Sequence, residues 1–196
     1  MQFTNQLLLS KSLFTRGRDS LRGAGLFDAG LAVSMFHDAV ELLLAATAQE
    51  VGGIVSKNQI KFFDWWELIE KAPNAQTRRL PALSTLRLLN DARVSFKHFG
   101  RCPPVGEAQT HQVTCEQFLT QVCTTFFNVD FATLSLAALI PAEKLRLAVM
   151  AAEEALRAGE IKTALERCAD VQSDIDRLQE PLVRVPIRVR LSSGHT

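Results

Sequence analysis

Apolar residues recur every three or four positions along almost the whole chain. That spacing gathers apolar side chains on one face of an α-helix, whereas a half-buried strand requires a repeat of two. Glycines and prolines interrupt the pattern at points where a helix is expected to end. The sequence therefore predicts an all-α fold, and any function has to be built on helix faces and helix ends.

Seven helices follow from this pattern when its interruptions are taken as boundaries. Gly52, Pro73, Gly100 and Gly159 lie where four of them end, because glycine suits the residue after a helix and proline cannot continue one. Pro141 is placed to open the sixth helix. The predicted helices cover residues 4–14, 27–51, 59–71, 81–99, 114–127, 141–158 and 160–178.

The last residues have a different pattern from the rest of the chain. No acidic residue follows Pro181, and Arg184, Arg188 and Arg190 alternate with apolar residues. A repeat of two is typical of a strand, and Pro186 restricts such a strand to a sheet edge or an extended arm. The expected segments are an N-terminal basic segment or short helix, a helical bundle, a C-terminal helical hairpin packed on the bundle and an extended arm, over residues 1–25, 26–135, 136–180 and 181–196.

The overall charge gives no general attraction to nucleic acid or to membranes. The chain has 22 basic and 21 acidic residues and a net charge of +1, so any contact with RNA must come from a local patch. Its four cysteines include no C-x-x-C pair, and no group of cysteines and histidines has zinc spacing. We therefore expect no metal, no cofactor, free thiols and a cytoplasmic protein. No apolar run reaches the ~18 residues that would cross a bilayer.

The predicted helix over residues 81–99 carries the most chemically informative side chains. At 100° per residue its surface divides into an apolar arc (Leu88, Leu89, Ala92, Phe96 and Phe99) and a polar arc (Arg87, Asn90, Asp91, Lys97 and His98). Arg93 lies near the boundary, about 140° from His98. A polar arc is usually only a solvated surface, and a histidine in the last turn also interacts favourably with the helix dipole.

The segment LLNDARVSFKHFGRCPP, residues 88–104, resembles the signature region of the HEPN family. In that family an arginine and a histidine separated by four to six residues close a helix, often with a lysine before the histidine and a glycine after it. Arg93 and His98 have the R-x4-H form here, and Asn90, Lys97 and Gly100 fit the pattern.

The resemblance extends over about residues 27–128. The stretch AGLFDAGLAVSMFHDAVELLLAA resembles the first long helix of the family, with Glu41 at the place of a recurrent acid. Glu41 and Asp91 would support the site, and Glu41 would orient Arg93. His37 and Asp38 lie within one turn of Glu41, where a carboxylate–histidine pair or a half-buried ion pair is expected.

The resemblance implies a HEPN-like bundle of four to five antiparallel helices that often dimerises. Catalytic members are metal-independent endoribonucleases whose active site is composed at the dimer cleft from two copies of the motif helix. His98 would be the general acid or base, because imidazole exchanges a proton near neutral pH. Arg93 would stabilise the pentavalent phosphorus. Asn90 and Lys97 would position the RNA backbone.

Two other interpretations remain open from the sequence. Val94 follows Arg93 where many active members carry a polar residue, so the alternative is a non-catalytic HEPN-like dimerisation or RNA-binding module, or the fragment of a larger defence or stress protein. The other is a helical adaptor in which the helices after Pro141 bind a partner. Since catalytic members commonly act as toxins or anti-phage effectors, the expected partners are RNA, a second copy of the chain, and an antitoxin or regulatory protein.

Trp65 and Trp66 follow two phenylalanines in the third predicted helix. Adjacent residues of a helix cannot face the same way, so at least one indole is expected to be partly exposed. Core packing and an interface role are both compatible with this cluster.

Overall fold

A computed structural model describes residues 4–23, 25–53 and 60–183. Within those ranges the chain contains seven α-helices and no strand, so the prediction of an all-α fold is confirmed. The helices are α1 (Thr4–Ser20), α2 (Leu26–Glu50), α3 (Asp64–Glu70), α4 (Leu83–Phe99), α5 (Val105–Val122), α6 (Glu143–Arg157) and α7 (Ile161–Val183). The chain divides into two compact units, the first ending at Leu136 and the second beginning at Ala137.

The differences from the predicted boundaries lie at helix starts, at the end of α1 and in the tail. Helix α1 continues past its predicted end at Phe14 to Ser20, and Gly17 within it packs against the ring of Phe36. Helix α5 begins at Val105 rather than at Thr114, because Pro104 has the extended backbone of an N-cap residue, with φ −57° and ψ 147°. Helix α3 begins at Asp64, so the prediction of a helix over residues 60–63 is wrong, and the predicted first residue, Gln59, lies outside the described residues. Residues 181–183 belong to α7 rather than to an extended arm, because a helix can lose the one N–H that Pro181 lacks and still continue. The rest of the predicted arm, residues 184–196, also lies outside the described residues.

Helix α2 is the centre of the first unit and packs against α1, α3, α4 and α5. Most of its apolar side chains are buried, Phe36, Leu43 and Leu44 among them. Although the sequence predicts no membrane-crossing run, α2 is long and apolar enough to cross a membrane by length and composition alone. Within its most apolar stretch, however, 61% is buried inside the protein. Its position in the core accounts for its apolar composition.

Trp65 and Trp66 both belong to this core, with only 8% and 6% of their surface exposed. The expectation that one of them is partly exposed is therefore wrong. Trp66 lies between Phe62 and Phe118, at ring centroid distances of 5.8 and 6.0 Å. Aromatic side chains from α5 and from the segment before α3 therefore cover the indole of Trp66.

A glycine sets the close approach of α4 to α2. The ring of Phe96 on α4 lies over Gly30 on α2, so a Cβ at Gly30 would be 2.3 Å from the ring carbon Cε2. The same ring makes an edge contact with Phe27, at 5.8 Å between centroids. The absence of a side chain at Gly30 thus determines how the motif helix crosses α2.

The substitution Gly30→Ala is expected to destabilise the protein although alanine favours a helix. Displacing Phe96 should cost about 1–3 kcal/mol, and the better helix propensity offsets about 1 kcal/mol of that. The matched control is Gly106→Ala in α5, where no atom lies within 4 Å of the new Cβ. Urea unfolding of the three proteins should give a lower free energy for Gly30→Ala alone, and equal values would mean that Phe96 moves freely.

Helices α6 and α7 form a hairpin in the second unit, with Gly159 in a left-handed conformation (φ 79°) at the turn. Small residues, Ala152, Ala155 and Ala164, are buried between them. Lys144 and Asp174 form an ion pair at 2.8 Å. Small side chains at the contact allow the two helices to approach closely, and larger apolar side chains remain exposed (Leu147, Met150, Leu156, Ile161 and Leu165).

Candidate active site on helices α2 and α4

A buried histidine lies at the centre of the polar contacts between α2 and α4. His37 is only 2% exposed, and its ring is stacked on Phe62 at 4.4 Å between centroids. Its Nδ1 lies 3.5 Å from Oδ1 of Asp38 and 3.8 Å from Oε2 of Glu41. Nδ1 is buried and makes no hydrogen bond to any described residue. One helix therefore supplies an imidazole nitrogen and two carboxylates at one point.

Helix α4 adds an amide and a guanidinium to this cluster. Oδ1 of Asn90 lies 3.2 Å from Nε2 of His37, and Nη2 of Arg93 lies 3.9 Å from Oδ1 of Asp38. Asn90 and Arg93 are three residues apart, so they lie on the same side of α4. Their position is set by Leu89, which is fully buried on the same helix. We call His37, Asp38, Glu41, Asn90 and Arg93 the α2–α4 cluster.

The acid that faces Arg93 differs from the one predicted. Glu41 was expected to orient Arg93, but the carboxylate within ion-pair distance of Arg93 is that of Asp38. Glu41 instead directs its carboxylate toward His37. A signal for this cluster is present in the sequence, because His37, Asp38 and Glu41 are the only ionisable residues between Asp28 and Glu50 of an otherwise apolar helix.

The histidine of the motif lies away from the cluster. His98 and Lys97 are exposed in the last turn of α4, and neither makes a hydrogen bond or ion pair with a described residue. The helix ends at Gly100, whose left-handed φ of 64° lets its N–H donate to the carbonyl oxygen of Phe96. Helical geometry places Arg93 and His98 about 140° apart around α4 and about 7.5 Å apart along its axis. One chain therefore does not bring the two predicted catalytic residues together.

Asp91, predicted to support the site, lies on another side of α4. It lines a groove of about 510 Å³ between α4 and α5, together with Ser95, Arg101 and Glu107. His111 also lines this groove, with Nε2 at 3.6 Å from Oε1 of Glu107. Burial lowers the pKa of His111, and the carboxylate of Glu107 opposes that shift. Asp91 is thus separated from the α2–α4 cluster.

Two of the four thiols are held in their protonated form by their surroundings. Burial raises the pKa of Cys115, and it raises that of Cys123 to about 12. Since the thiolate is the nucleophile of cysteine chemistry, neither residue is a candidate for covalent catalysis.

Arg87 shows how α4 is tied to the segment before α3. Its guanidinium lies over the ring of Phe63, 4.6 Å from the centroid. Such a contact stabilises by about 0.5–1 kcal/mol at an exposed site. At least one residue of the polar arc of α4, Arg87, therefore contacts another part of the same chain.

Comparisons of the chain with protein-family models, with curated proteins and with solved structures found no match.

Proposed function

We propose that this chain is a metal-independent endoribonuclease of HEPN type that works as a homodimer, with Arg93 and His98 as its catalytic residues. The observation that supports the proposal is the arrangement of α4. Arg93 is 22% exposed and paired with Asp38, while His98 is exposed one residue before the helix ends. A guanidinium held by a carboxylate is a fixed donor for phosphate oxygens, and an exposed imidazole is accessible to substrate.

The reaction would be an attack of an RNA 2′-hydroxyl on the adjacent phosphate. A bond forms between the 2′-oxygen and phosphorus, and the bond from phosphorus to the 5′-oxygen breaks. His98 acts either as the base that takes the proton of the attacking 2′-hydroxyl or as the acid that protonates the leaving 5′-oxygen, and water exchanges the other proton. Arg93 donates hydrogen bonds to the charged phosphorane oxygens, since it stays protonated throughout. The products are a 2′,3′-cyclic phosphate and a 5′-hydroxyl.

A second copy of the chain would complete the site. Because Arg93 and His98 lie on different sides of one α4, pairing two α4 helices would bring Arg93 of one copy toward His98 of the other. Large apolar side chains are exposed where the start of α2 meets the end of α4, with Phe27 63% and Phe99 69% exposed. Exposed aromatic residues of this size are typical of interfaces. Lys97, exposed beside His98, would add attraction for the RNA backbone.

A specific observation favours a second candidate function, a non-catalytic dimerisation or RNA-binding module. The charge of Arg93 is already opposed by Asp38, and Val94 supplies no polar group to release it or to hold phosphate. In this module the same exposed surface of α4 would bind a second copy or RNA without cleaving it.

The proposed activity is tested by incubating the purified chain with RNA in EDTA. We expect cleavage that leaves 2′,3′-cyclic phosphate ends, and no cleavage of the same RNA with 2′-deoxyribose on the 5′ side of the cut, because the nucleophile is then missing. His98→Ala should be inactive and should fold normally, since His98 is exposed. The matched control, Arg157→Ala on α6, should cleave like the wild type. Cleavage by His98→Ala at the wild-type rate would contradict the proposal, and binding of RNA without cleavage would support the second candidate.

A further inference from the structure

We propose that His37, Asp38 and Glu41 form a binding site for a divalent transition-metal ion such as Zn²⁺. One ligand atom from each residue can be chosen so that all three lie within 4.8 Å of one another. This inference rests on the α2–α4 cluster alone and does not depend on the proposed ribonuclease activity, which requires no metal.

The hydrogen bond to Asn90 determines which nitrogen of His37 is available to an ion. Oδ1 of Asn90 is an acceptor only, so the Nε2 of His37 that lies 3.2 Å from it carries the proton and donates. In a neutral imidazole Nδ1 then has a lone pair, and Nδ1 lies within 3.8 Å of one oxygen of each carboxylate. Nδ1 is buried and has no hydrogen-bond partner among the described residues. A cation between Nδ1 and the carboxylates would satisfy all three groups.

The surroundings of His37 hold its ring in a ligand orientation. Phe62 is stacked on one face of the imidazole, and Oδ1 of Asn90 accepts a hydrogen bond from the second nitrogen. Histidine ligands of metal ions typically donate their other N–H to an oxygen acceptor in this way, which selects the tautomer and the ring orientation. A side chain that is 3% exposed and held on two sides loses little freedom when it binds an ion.

The two distances from Nδ1 of His37 to the carboxylate oxygens are close to those of a tetrahedral site. Ligands about 2.0–2.2 Å from Zn²⁺ are separated from each other by about 3.3 Å. The observed separations from Nδ1 are 3.5 Å to Asp38 and 3.8 Å to Glu41. The side chains of Asp38 and Glu41 are 51% and 37% exposed, so both can close on an ion and water can reach a fourth position.

The chemistry of the three ligand residues indicates which metal ions the site would bind, and the nearby Arg93 affects how tightly. One imidazole nitrogen with two carboxylates suits Zn²⁺, Co²⁺ or Mn²⁺, whereas Mg²⁺ and Ca²⁺ prefer oxygen ligands alone. The two carboxylates compensate the charge of the ion. Arg93, 3.9 Å from Asp38, competes with the ion for that carboxylate. Removing the charge of Arg93 should therefore strengthen metal binding.

The test is calorimetric titration of the metal-free full chain with Zn²⁺. The chain should carry Cys168→Ser, since an exposed thiol is a competing ligand for zinc. We expect one ion per chain and no response to Mg²⁺. Asp38→Asn and Glu41→Gln should each weaken Zn²⁺ binding by at least about tenfold. Arg93→Gln should strengthen Zn²⁺ binding on the order of threefold, because it removes the repulsion between the guanidinium and the metal ion.

A second histidine–glutamate pair provides the matched control. Glu107 precedes His111 by four residues on α5, and its Oε1 lies 3.6 Å from Nε2 of His111. Among the described residues, however, no third potential ligand lies close enough to this pair to complete a metal site. Glu107→Gln should leave Zn²⁺ binding unchanged. The proposal is overturned if the chain binds no Zn²⁺, or if binding is unaffected by both Asp38→Asn and Glu41→Gln while these variants unfold like the wild type.

Discussion

Mixing the Arg93→Ala and His98→Ala chains is expected to restore RNA cleavage that neither variant shows alone. In a homodimer with composite sites, a mixed dimer keeps one intact site, made of Arg93 from the second variant and His98 from the first. Random pairing of equal amounts makes half of the dimers mixed, so the mixture should recover about a quarter of the wild-type activity. The expectation follows from α4, where Arg93 and His98 are about 140° apart in one chain.

Each single variant should lose about 10²–10⁴-fold in cleavage rate, because each removes either a proton-transfer group or a donor to the phosphorane. His98 is exposed, and Arg93 contacts Asp38 at the surface of the bundle. Neither substitution creates a cavity, so both variants should retain the wild-type free energy of unfolding to within about 1 kcal/mol.

The mixture also distinguishes a site composed of residues from two copies from a site within one chain. If the two variants fold and exchange subunits but the mixture stays inactive, Arg93 and His98 act within one chain and the composite site is wrong. If either single variant cleaves RNA like the wild type, the residue it lacks is not catalytic. Arg93→Lys adds information, because lysine keeps the charge but lacks the planar fork and should recover only part of the rate.

A helix end was predictable from the sequence where the residue at that position favours only one structural role. Gly100 marks the end of α4 at Phe99, as predicted, because the left-handed conformation there disfavours any side chain. Proline is ambiguous, since it both stops one helix and opens the next. Pro104 follows the end of α4 and also precedes the first residue of α5, so α5 begins at Val105 rather than at the predicted Thr114.

The candidate site was predictable only in part, because its pairings depend on how two helices cross. The sequence placed Arg93 on α4 and the acids on α2, but a helical wheel does not determine which acid a distant arginine meets. Phe96 packs into the space above Gly30, and this contact sets the crossing at which Asp38, rather than Glu41, faces Arg93. The contact of Asn90 with His37 has the same cause.

Leu89→Ala is expected to destabilise the protein by about 2–5 kcal/mol, whereas Leu88→Ala should change its stability by less than about 0.5 kcal/mol. Both leucines were predicted to lie on one apolar arc of α4, but Leu89 is fully buried and Leu88 is 63% exposed. Truncating Leu89 removes apolar contacts and leaves a cavity in the core, while truncating Leu88 removes few contacts within one chain.

The variants Leu89→Ala and Leu88→Ala also test the position of Arg93 at the site and the proposed contact between two copies of the chain. Urea unfolding gives the two free energies, and the concentration dependence of each transition shows whether a second copy contributes. Because Leu89 holds α4 against α2, its truncation should also weaken the Arg93–Asp38 contact and reduce any cleavage measured on the folded protein. A loss for Leu88→Ala that appears only at high protein concentration would place Leu88 at an interface between two copies. An equal loss at all concentrations would mean that α4 buries a different face from the one described.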